Sequence, residues 1–221
     1  MPRSSDPVAS LPIIAFANAE AFSKWLAKEH ASSPGLWLKI GKKGCKAESV
    51  TYAEAIEVAL VWGWIDGQKG KFDEAWFLQR FTPRRPKSIW SKINCQKATA
   101  LIESGRMRPP GLEQIERAKK DGRWEAAYEG QSRSTVPPDF AKALASNPRA
   151  ARFFETLESY NRYAVLFRIH TAKKPETRAS RIEKFIGMLA RSEKVHPPAG
   201  PSTGGKGRKP PGERGTARSA K

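Results

Sequence analysis

The stretch SVTYAEAIEVALVWGWIDG, residues 49–67, decides the fold class because it joins a complete helix signal to turn signals. Thr51 and Glu54 form a capping box, in which each side chain accepts a hydrogen bond from the other residue's free backbone N–H. The Asp-Gly and Lys-Gly pairs at 66–67 and 69–70 predict that the helix has ended and that turns follow. Apolar residues recur at helical spacing between these signals, at Ala55, Val58, Ala59 and Trp62.

Segments on both sides of this helix have the composition of strands. GLWLKIG, residues 35–41, places its leucines and isoleucine on one face, and AWFLQRFTP, residues 75–83, is aromatic and closes with a proline. NAEAFSKWLAKEH, residues 18–30, adds an earlier helix with an asparagine as its expected cap. Helices and strands mixed along the chain predict an α+β domain over residues 16–128, after a flexible N-terminus at residues 1–15.

From Ser88 onward the pattern becomes helical. Asn94 is the expected cap of the first helix of this part. Pro109-Pro110 predicts the start of the next helix, and Gly122 its end.

Three further segments complete the predicted organisation. The small polar residues 129–137 predict a linker, and apolar periodicity after them predicts a helical module at residues 138–195. Residues 197–221 contain no aromatic residue and no aliphatic residue larger than alanine. Such a segment cannot bury enough apolar area to offset the entropy of ordering, which predicts a disordered basic tail at residues 196–221.

Positive charge is not confined to that tail. The formal net charge is +18, of which residues 197–221 contribute +5, so residues 1–196 carry +13. A surplus of this size raises the local concentration of polyanions through the summed field of the protein. Nucleic acid, acidic lipid and acidic glycans are therefore the partner classes that composition favours.

Composition and spacing argue against several other classes. Cys45 and Cys95 have no partner at a metal-binding or disulfide-framework spacing, and no metal or cofactor is expected. His30, His170 and His196 lie in different predicted elements, away from any recognisable nucleophile, so the chain leans away from being an enzyme. No segment has the apolar length of a membrane helix or a secretory signal, which predicts a cytoplasmic protein.

The segment RFTPRRPKSIWSKIN, residues 80–94, is the first candidate site. It threads aromatic and aliphatic residues between five cations and contains no acid. Forked guanidiniums suit bidentate contact with phosphate or carboxylate, and a helix that begins near Ser88 would add backbone donors. The alternative is structural, with Ile89 and Trp90 in the core and the arginines paired with Asp66, Asp73 or Glu74.

The segment WGWIDGQ, residues 62–68, offers a second wall for the same pocket because it combines indole rings with an acid and an amide. The simpler interpretation places Trp62 in the core and makes Asp66-Gly67 an ordinary turn. Together the two segments predict an anion or ligand site that consists of Arg80, Arg84, Arg85, Lys87, Ser88, Trp90, Lys92, Trp64, Asp66 and Gln68. No catalytic residue is predicted.

Four blocks of the chain resemble the YdeI/OmpD-associated family of bacterial proteins. The blocks are WGWIDGQ (62–68), RFTPRRPKSIWSKIN (80–94), SGRMRPPG (104–111) and KKPETRASRI (173–182). The resemblance extends over about residues 16–194. It implies a small bacterial protein linked to protection against bacteriocins or cationic antimicrobial peptides and to an outer-membrane porin, and it supplies no catalytic residues.

These observations predict a non-enzymatic, anion-binding stress or envelope-protection protein of the bacterial cytoplasm. Two other functions remain open at this stage. A basic body with a basic tail also suits weak, sequence-independent binding to nucleic acid. An arginine pocket also suits an enzyme that acts on a phosphorylated or carboxylated small molecule.

Overall fold

The computed structural model describes residues 11–44 and 46–196. These residues form a four-stranded sheet with covering helices, followed by a cluster of helices, so the predicted α+β class is confirmed. The predictions for residues 1–10, for Cys45 and for residues 197–221 lie outside the described residues.

Strands and helices alternate in the first part of the chain, as the mixed sequence pattern predicts. In chain order they are β1 (Ile13–Ala15), α1 (Ala19–Glu29), β2 (Leu36–Gly41), α2 (Tyr52–Val61), β3 (Trp64–Lys71), β4 (Trp76–Pro83), α3 (Lys92–Glu103) and α4 (Pro109–Lys120).

The sheet has the strand order β1-β2-β4-β3. β1 and β2 are parallel and are joined through α1, whereas β4 is antiparallel to both of its neighbours. Every second residue of β2 is buried, and these residues share a hydrophobic core with residues of α1 and α2. One face of the sheet therefore packs on helices, and the alternate residues point to the opposite face.

The turns that the sequence predicts after α2 are in fact strand β3. Gly63 has a φ of +71°, and it allows the chain to leave α2 and enter β3 without a loop. The register of β3 against β4 shifts between Asp66 and Lys69, which marks a β-bulge. The turn-type residues at these positions therefore serve a bulged strand, where glycine is tolerated, rather than a chain reversal.

Two element starts also differ from the predicted ones. α3 is capped by Ser91, whose hydroxyl accepts from the Asn94 N–H at 3.2 Å, so the helix begins before Asn94 and not at Ser88. Residues 13–15, predicted as part of a flexible N-terminus, pair with β2, with Ile14 opposite Leu38. A strand of three residues is too short to show a period in the sequence.

The second part of the chain forms its own hydrophobic core around Phe140, Phe154, Val165, Ile169 and Leu189. No helix of the described part is both long and apolar enough to cross a membrane. After a short 3₁₀ turn at Gln131–Arg133, the helices are α5 (Pro138–Ala145), α6 (Pro148–Glu155), α7 (Ser159–His170) and α8 (Pro175–Ala190).

Arginines of the KKPETRASRI block tie α8 to its neighbours. Arg178 donates to Asp139 of α5 at 2.9 Å and to the carbonyl of Ile169 of α7 at 2.9 Å. His196, the first residue of the predicted tail, is held by Asn161, whose Oδ1 accepts from its backbone N–H at 2.8 Å. Order therefore continues to the end of the described residues.

Candidate functional site

The basic segment that follows β4 forms a loop that two buried arginines hold from inside. Arg84 donates from Nη1 to the carbonyl of Ile89 at 3.3 Å. Arg123, which follows α4, donates from Nη1 to the carbonyl of Ser88 at 2.6 Å. The Ser88 hydroxyl accepts from the N–H of Arg85 at 3.0 Å. The loop is thus fixed through its own carbonyl groups, and Ser88 supplies a turn instead of a helix N-terminus.

Arg84 is the most buried cation of this loop, with 6% of its surface exposed. Its Cζ lies 3.6 Å from the centroid of the Trp90 ring, and Trp90 in turn packs against Trp124 with ring centroids 5.0 Å apart. The backbone N–H of Arg84 donates to the carbonyl of Gly63 at 3.0 Å. The stack is a cation–π contact, which is strongest when it is desolvated as it is here.

Asp66 acts on Arg84 by charge without forming an ion pair with it. Burial lowers the pKa of Arg84 to about 10, and the charge of Asp66 opposes that shift. Asp66 accepts a hydrogen bond from the Tyr52 hydroxyl at 2.8 Å. Burial, with the charge of Asp66, also raises the pKa of Tyr128. At neutral pH the site therefore contains a charged guanidinium beside neutral phenols.

Several buried donors of this cluster have no hydrogen-bond partner among the described residues. They are Nε and Nη2 of Arg84, Nε1 of Trp90 and Nη2 of Arg123. Leaving one buried donor unpaired costs about 1 to 3 kcal/mol, and more when the group is charged. The cluster thus combines positive charge with free donors, the features that an anion would satisfy. We refer to Arg84, Trp90, Arg123, Asp66 and Tyr128 as the Arg84 cluster.

A cleft reaches Arg84 from the side of α4. Its volume is about 530 Å³, and its walls include Trp62, Trp64 and Pro109. One carboxylate, that of Glu113, also lines the cleft, but it is paired with Arg117 at 2.5 Å. The cleft gives a small ligand a side from which to approach the buried arginine.

Most of the other predicted site residues lie elsewhere. Arg85 and Lys87 are exposed on the loop, and Gln68 is exposed in the bulge of β3. Lys92 forms an ion pair with Glu129 at 2.6 Å. Trp64 is buried in the core and donates from Nε1 to a backbone carbonyl at 3.1 Å.

Arg80 lies on the opposite face of the sheet from the core, because it pairs in register with Trp37 of β2. The acids that the structural alternative assigned to the arginines have other roles. Asp73 accepts from the backbone N–H groups of Ala75 and Trp76, both at 2.8 Å. Of the ten predicted residues, the structure brings together Arg84, Trp90 and Asp66; Trp64 also lines the cleft that reaches Arg84, and Ser88 is held in the same loop by Arg123.

Three residues of the site were not predicted from the sequence: Tyr52, Arg123 and Tyr128. Arg123 follows Gly122 at the end of α4, and it stands next to Trp124. The sequence signal for Arg123 is this Arg-Trp pair just after a helix end, because it has the same residue types as Arg84 and Trp90. The two tyrosines carry no sequence signal because only the tertiary fold brings them to Asp66.

Cys95 is half-buried close to Arg84. Burial raises the pKa of its thiol to about 11, although the Arg84 charge acts in the opposite direction. The thiol is therefore protonated at neutral pH and is a poor nucleophile. Across residues 11–44 and 46–196, no group of three or more His, Cys, Asp or Glu side chains is placed to hold a metal ion.

Comparison with known families divides the chain into two regions. Residues 14–114 match the model described as Domain of unknown function (DUF8412), and residues 133–192 match the one described as Bacteriocin-protection, YdeI or OmpD-Associated. No curated protein and no solved structure matches the chain. Three of the four blocks that carry the resemblance lie in the first region, and only KKPETRASRI lies in the second. The predicted family is therefore confirmed as a match over part of the chain: residues 133–192, which include the helical module, match the model described as Bacteriocin-protection, YdeI or OmpD-Associated.

Proposed function

We propose that this chain binds a small anionic group, a phosphate or a carboxylate, at Arg84. The observation that carries the proposal is that Nε and Nη2 of a charged, buried guanidinium have no partner among the described residues. These two nitrogens lie on one edge of the guanidinium, the fork that binds two oxygens of a phosphate or carboxylate at once.

The surroundings of Arg84 support the same ligand class. The Trp90 ring packs against the guanidinium, with Cζ 3.6 Å from the ring centroid, and provides no hydrogen-bond acceptor for its nitrogens. Arg123, whose Nε is paired with Asp121 at 2.8 Å, adds a second buried guanidinium, and its Nη2 has no partner among the described residues. The nearby Asp66 carboxylate is engaged by the Tyr52 hydroxyl. Because Arg84 and its two unpaired nitrogens are buried, the ligand that we propose is a compact anionic head group that enters from the cleft.

Thermal unfolding in different anions tests this site. Inorganic phosphate and sulfate are compared with chloride at matched ionic strength, and the variants are Arg84→Gln and, as the control, the exposed Arg85→Gln. A ligand at about 100 times its Kd stabilises a protein by about 2.7 kcal/mol. We expect phosphate or sulfate to raise the melting temperature of the wild type and of R85Q, and not that of R84Q. An equal rise in all three proteins, or none in the wild type, would contradict the proposal.

The biological role that we propose is non-enzymatic protection of a bacterial cell, exerted from the cytoplasm. The support is the description of the family whose model matches residues 133–192, bacteriocin protection. The Arg84 cluster lies outside that segment, so the anion site and the protective role are separate parts of the proposal. Survival of a sensitive bacterium in the presence of a bacteriocin or a cationic antimicrobial peptide tests both parts.

Cells that express the wild type, R84Q or R85Q at equal levels are compared in that assay. We expect the wild type and R85Q to increase survival and R84Q to lose most of the effect. Full protection by R84Q would separate the anion site from the protective role. No protection by the wild type would remove the role itself.

A further inference from the structure

The face of the sheet opposite α1 and α2 carries aromatic rings and cations. The register of β2 against β4 places Trp37 opposite Arg80, and Lys39 opposite Leu78. Trp76 lies on the same face, opposite Gly41. Trp37 and Trp76 belong to neither of the two hydrophobic cores, and Leu78 on the same face is 9% exposed. We call this surface, formed by Trp37, Lys39, Trp76, Leu78 and Arg80, the open face.

Two glycines of β3 allow long side chains to lie flat across the open face. A Cβ atom at Gly70 would lie 3.6 Å from Cζ3 of Trp37, so the indole reaches from β2 across β4 to β3. A Cβ atom at Gly67 would lie 2.9 Å from Nε of Arg80, so the guanidinium lies over the bulge of β3. The ring and the guanidinium are thus spread along the sheet surface.

Cations on this face lie beside the rings. Nζ of Lys39 is 4.3 Å from the centroid of the Phe72 ring and 4.6 Å from that of Trp76. Phe72 is 45% exposed, and Trp37 and Trp76 are partly exposed. The positions of β2 and β4 that point to the open face carry no carboxylate. The surface therefore combines stacking area with uncompensated positive charge.

We propose that the open face binds single-stranded nucleic acid. A base would stack on the Trp37 ring, while Arg80 and Lys39, the latter held over the Phe72 and Trp76 rings, would meet the phosphates. Base stacking on aromatic side chains, combined with a positively charged track for the backbone, is the general chemistry of sequence-independent single-strand binding. The net charge of +18 favours approach of such a polyanion.

This chemistry distinguishes a single strand from other occupants. A duplex keeps its base faces stacked inside, so it offers the rings nothing to stack on and would bind through charge alone. A second copy of the chain would bring two faces of like charge together, which is unfavourable. The single strand is the partner that uses both the rings and the cations.

Fluorescence anisotropy of labelled oligothymidylate of about 12 nucleotides, a length within the usual range of single-strand sites, tests the proposal on the full chain. The variants are Trp37→Leu and Lys39→Gln. The matched controls are Tyr160→Leu and Lys142→Gln on the helical module, where Tyr160 is 58% exposed. We expect W37L to weaken binding roughly tenfold, the effect of losing one stacking ring, and K39Q to weaken it less. The two controls should remain within about twofold of the wild type, because they do not touch the open face.

Three results would overturn the proposal. A duplex of the same length that binds as tightly as the single strand would show binding by general charge. Unchanged affinity in both W37L and K39Q, with circular dichroism that matches the wild type, would place the binding elsewhere. A dimer in analytical ultracentrifugation that W37L dissociates would mean that a second copy covers the open face. K39Q keeps every ring, so the test stands even if W37L fails to fold.

Discussion

The guanidinium of Arg84 lies over the Trp90 ring, with Cζ 3.6 Å from the ring centroid, and both side chains are buried. The pair was expected either as an exposed anion site or as an arginine tied to a buried carboxylate. Arg84 is buried rather than exposed, and it is held by a ring and by the carbonyl of Ile89 rather than by a carboxylate. A ring and one carbonyl do not neutralise a positive charge, so the buried guanidinium of Arg84 should destabilise the fold.

Arg84→Met should increase the free energy of unfolding in a buffer without phosphate or sulfate, by about 1 kcal/mol or more. The substitution keeps an apolar stem against Trp90 and removes a buried charge whose desolvation is not repaid by a paired carboxylate. Urea denaturation measures the effect, and the exposed Arg85→Met should change stability by no more than about 0.5 kcal/mol. If R84M instead lowers the free energy of unfolding by more than about 2 kcal/mol, the guanidinium stabilises the loop by more than its unpaired buried donors destabilise it.

Gly111→Ala should destabilise the chain by about 3 kcal/mol, because α4 meets the end of α2 at this glycine. A Cβ atom there would lie 2.6 Å from the carbonyl oxygens of Leu60 and Val61, and backbone atoms cannot move aside as a flexible side chain does. Gly105→Ala is the control from the same sequence block. Gly105 has a φ of +67° and open space around it, so only backbone strain of about 1 kcal/mol is expected. Equal losses of unfolding free energy in G111A and G105A, measured by urea denaturation, would contradict the close approach of α4 to the end of α2.

Ser91→Ala should cost about 1 kcal/mol, whereas Asn94→Ala should cost less than about 0.5 kcal/mol. The reason is that Ser91 is the N-cap of α3. Asn94 lies in the first turn, and its backbone N–H donates to the Ser91 hydroxyl, so its side chain is not needed for the cap. Denaturant unfolding of the two variants separates these positions. A larger loss of stability in N94A than in S91A would show that Asn94 is the N-cap.

Patterns among neighbouring residues predict most of the fold. They do not predict features that depend on residues distant in sequence. The capping box at Thr51 and Glu54, the alternating β2 and the start of α4 at Pro109 are confirmed, since each depends on residues close in sequence. β3 was missed because Asp66-Gly67 and Lys69-Gly70 have turn propensity. Those glycines serve side chains from other strands, Trp37 and Arg80, and no local pattern reports that requirement.

The same distinction explains what the sequence revealed of the site. Arg84 and Trp90 are six residues apart and could be selected together as a charged and stacking pair. Arg123 and Tyr128 come from after α4, and their place near Arg84 depends on how α4 returns to the loop. Burial was also beyond the sequence, since Arg84 and Arg85 are neighbours of identical type and only the first points inward.

The ion pair between Asp139 of α5 and Arg178 of α8 should give the helical module a pH-dependent contribution to stability. The hydrogen bond and charge of Arg178 hold the pKa of Asp139 below its ordinary value. A carboxyl whose pKa is lower in the folded state stabilises the fold above its unfolded pKa of about 3.9, and that contribution is lost as the pH falls through the lowered folded pKa. The pair is partly exposed, so Asp139→Asn should cost no more than about 1 kcal/mol at neutral pH.

Denaturant unfolding of the wild type and D139N between neutral pH and about pH 2 measures this contribution. The difference between the two proteins should be greatest at neutral pH and should disappear at the acid end, where the wild-type carboxyl is protonated as well. Glu155→Gln is the control, because Glu155 is exposed on α6 and forms no ion pair with the described residues. It should change stability little at any pH. A difference for D139N that persists unchanged at low pH would mean that the carboxylate charge is not what joins α5 to α8.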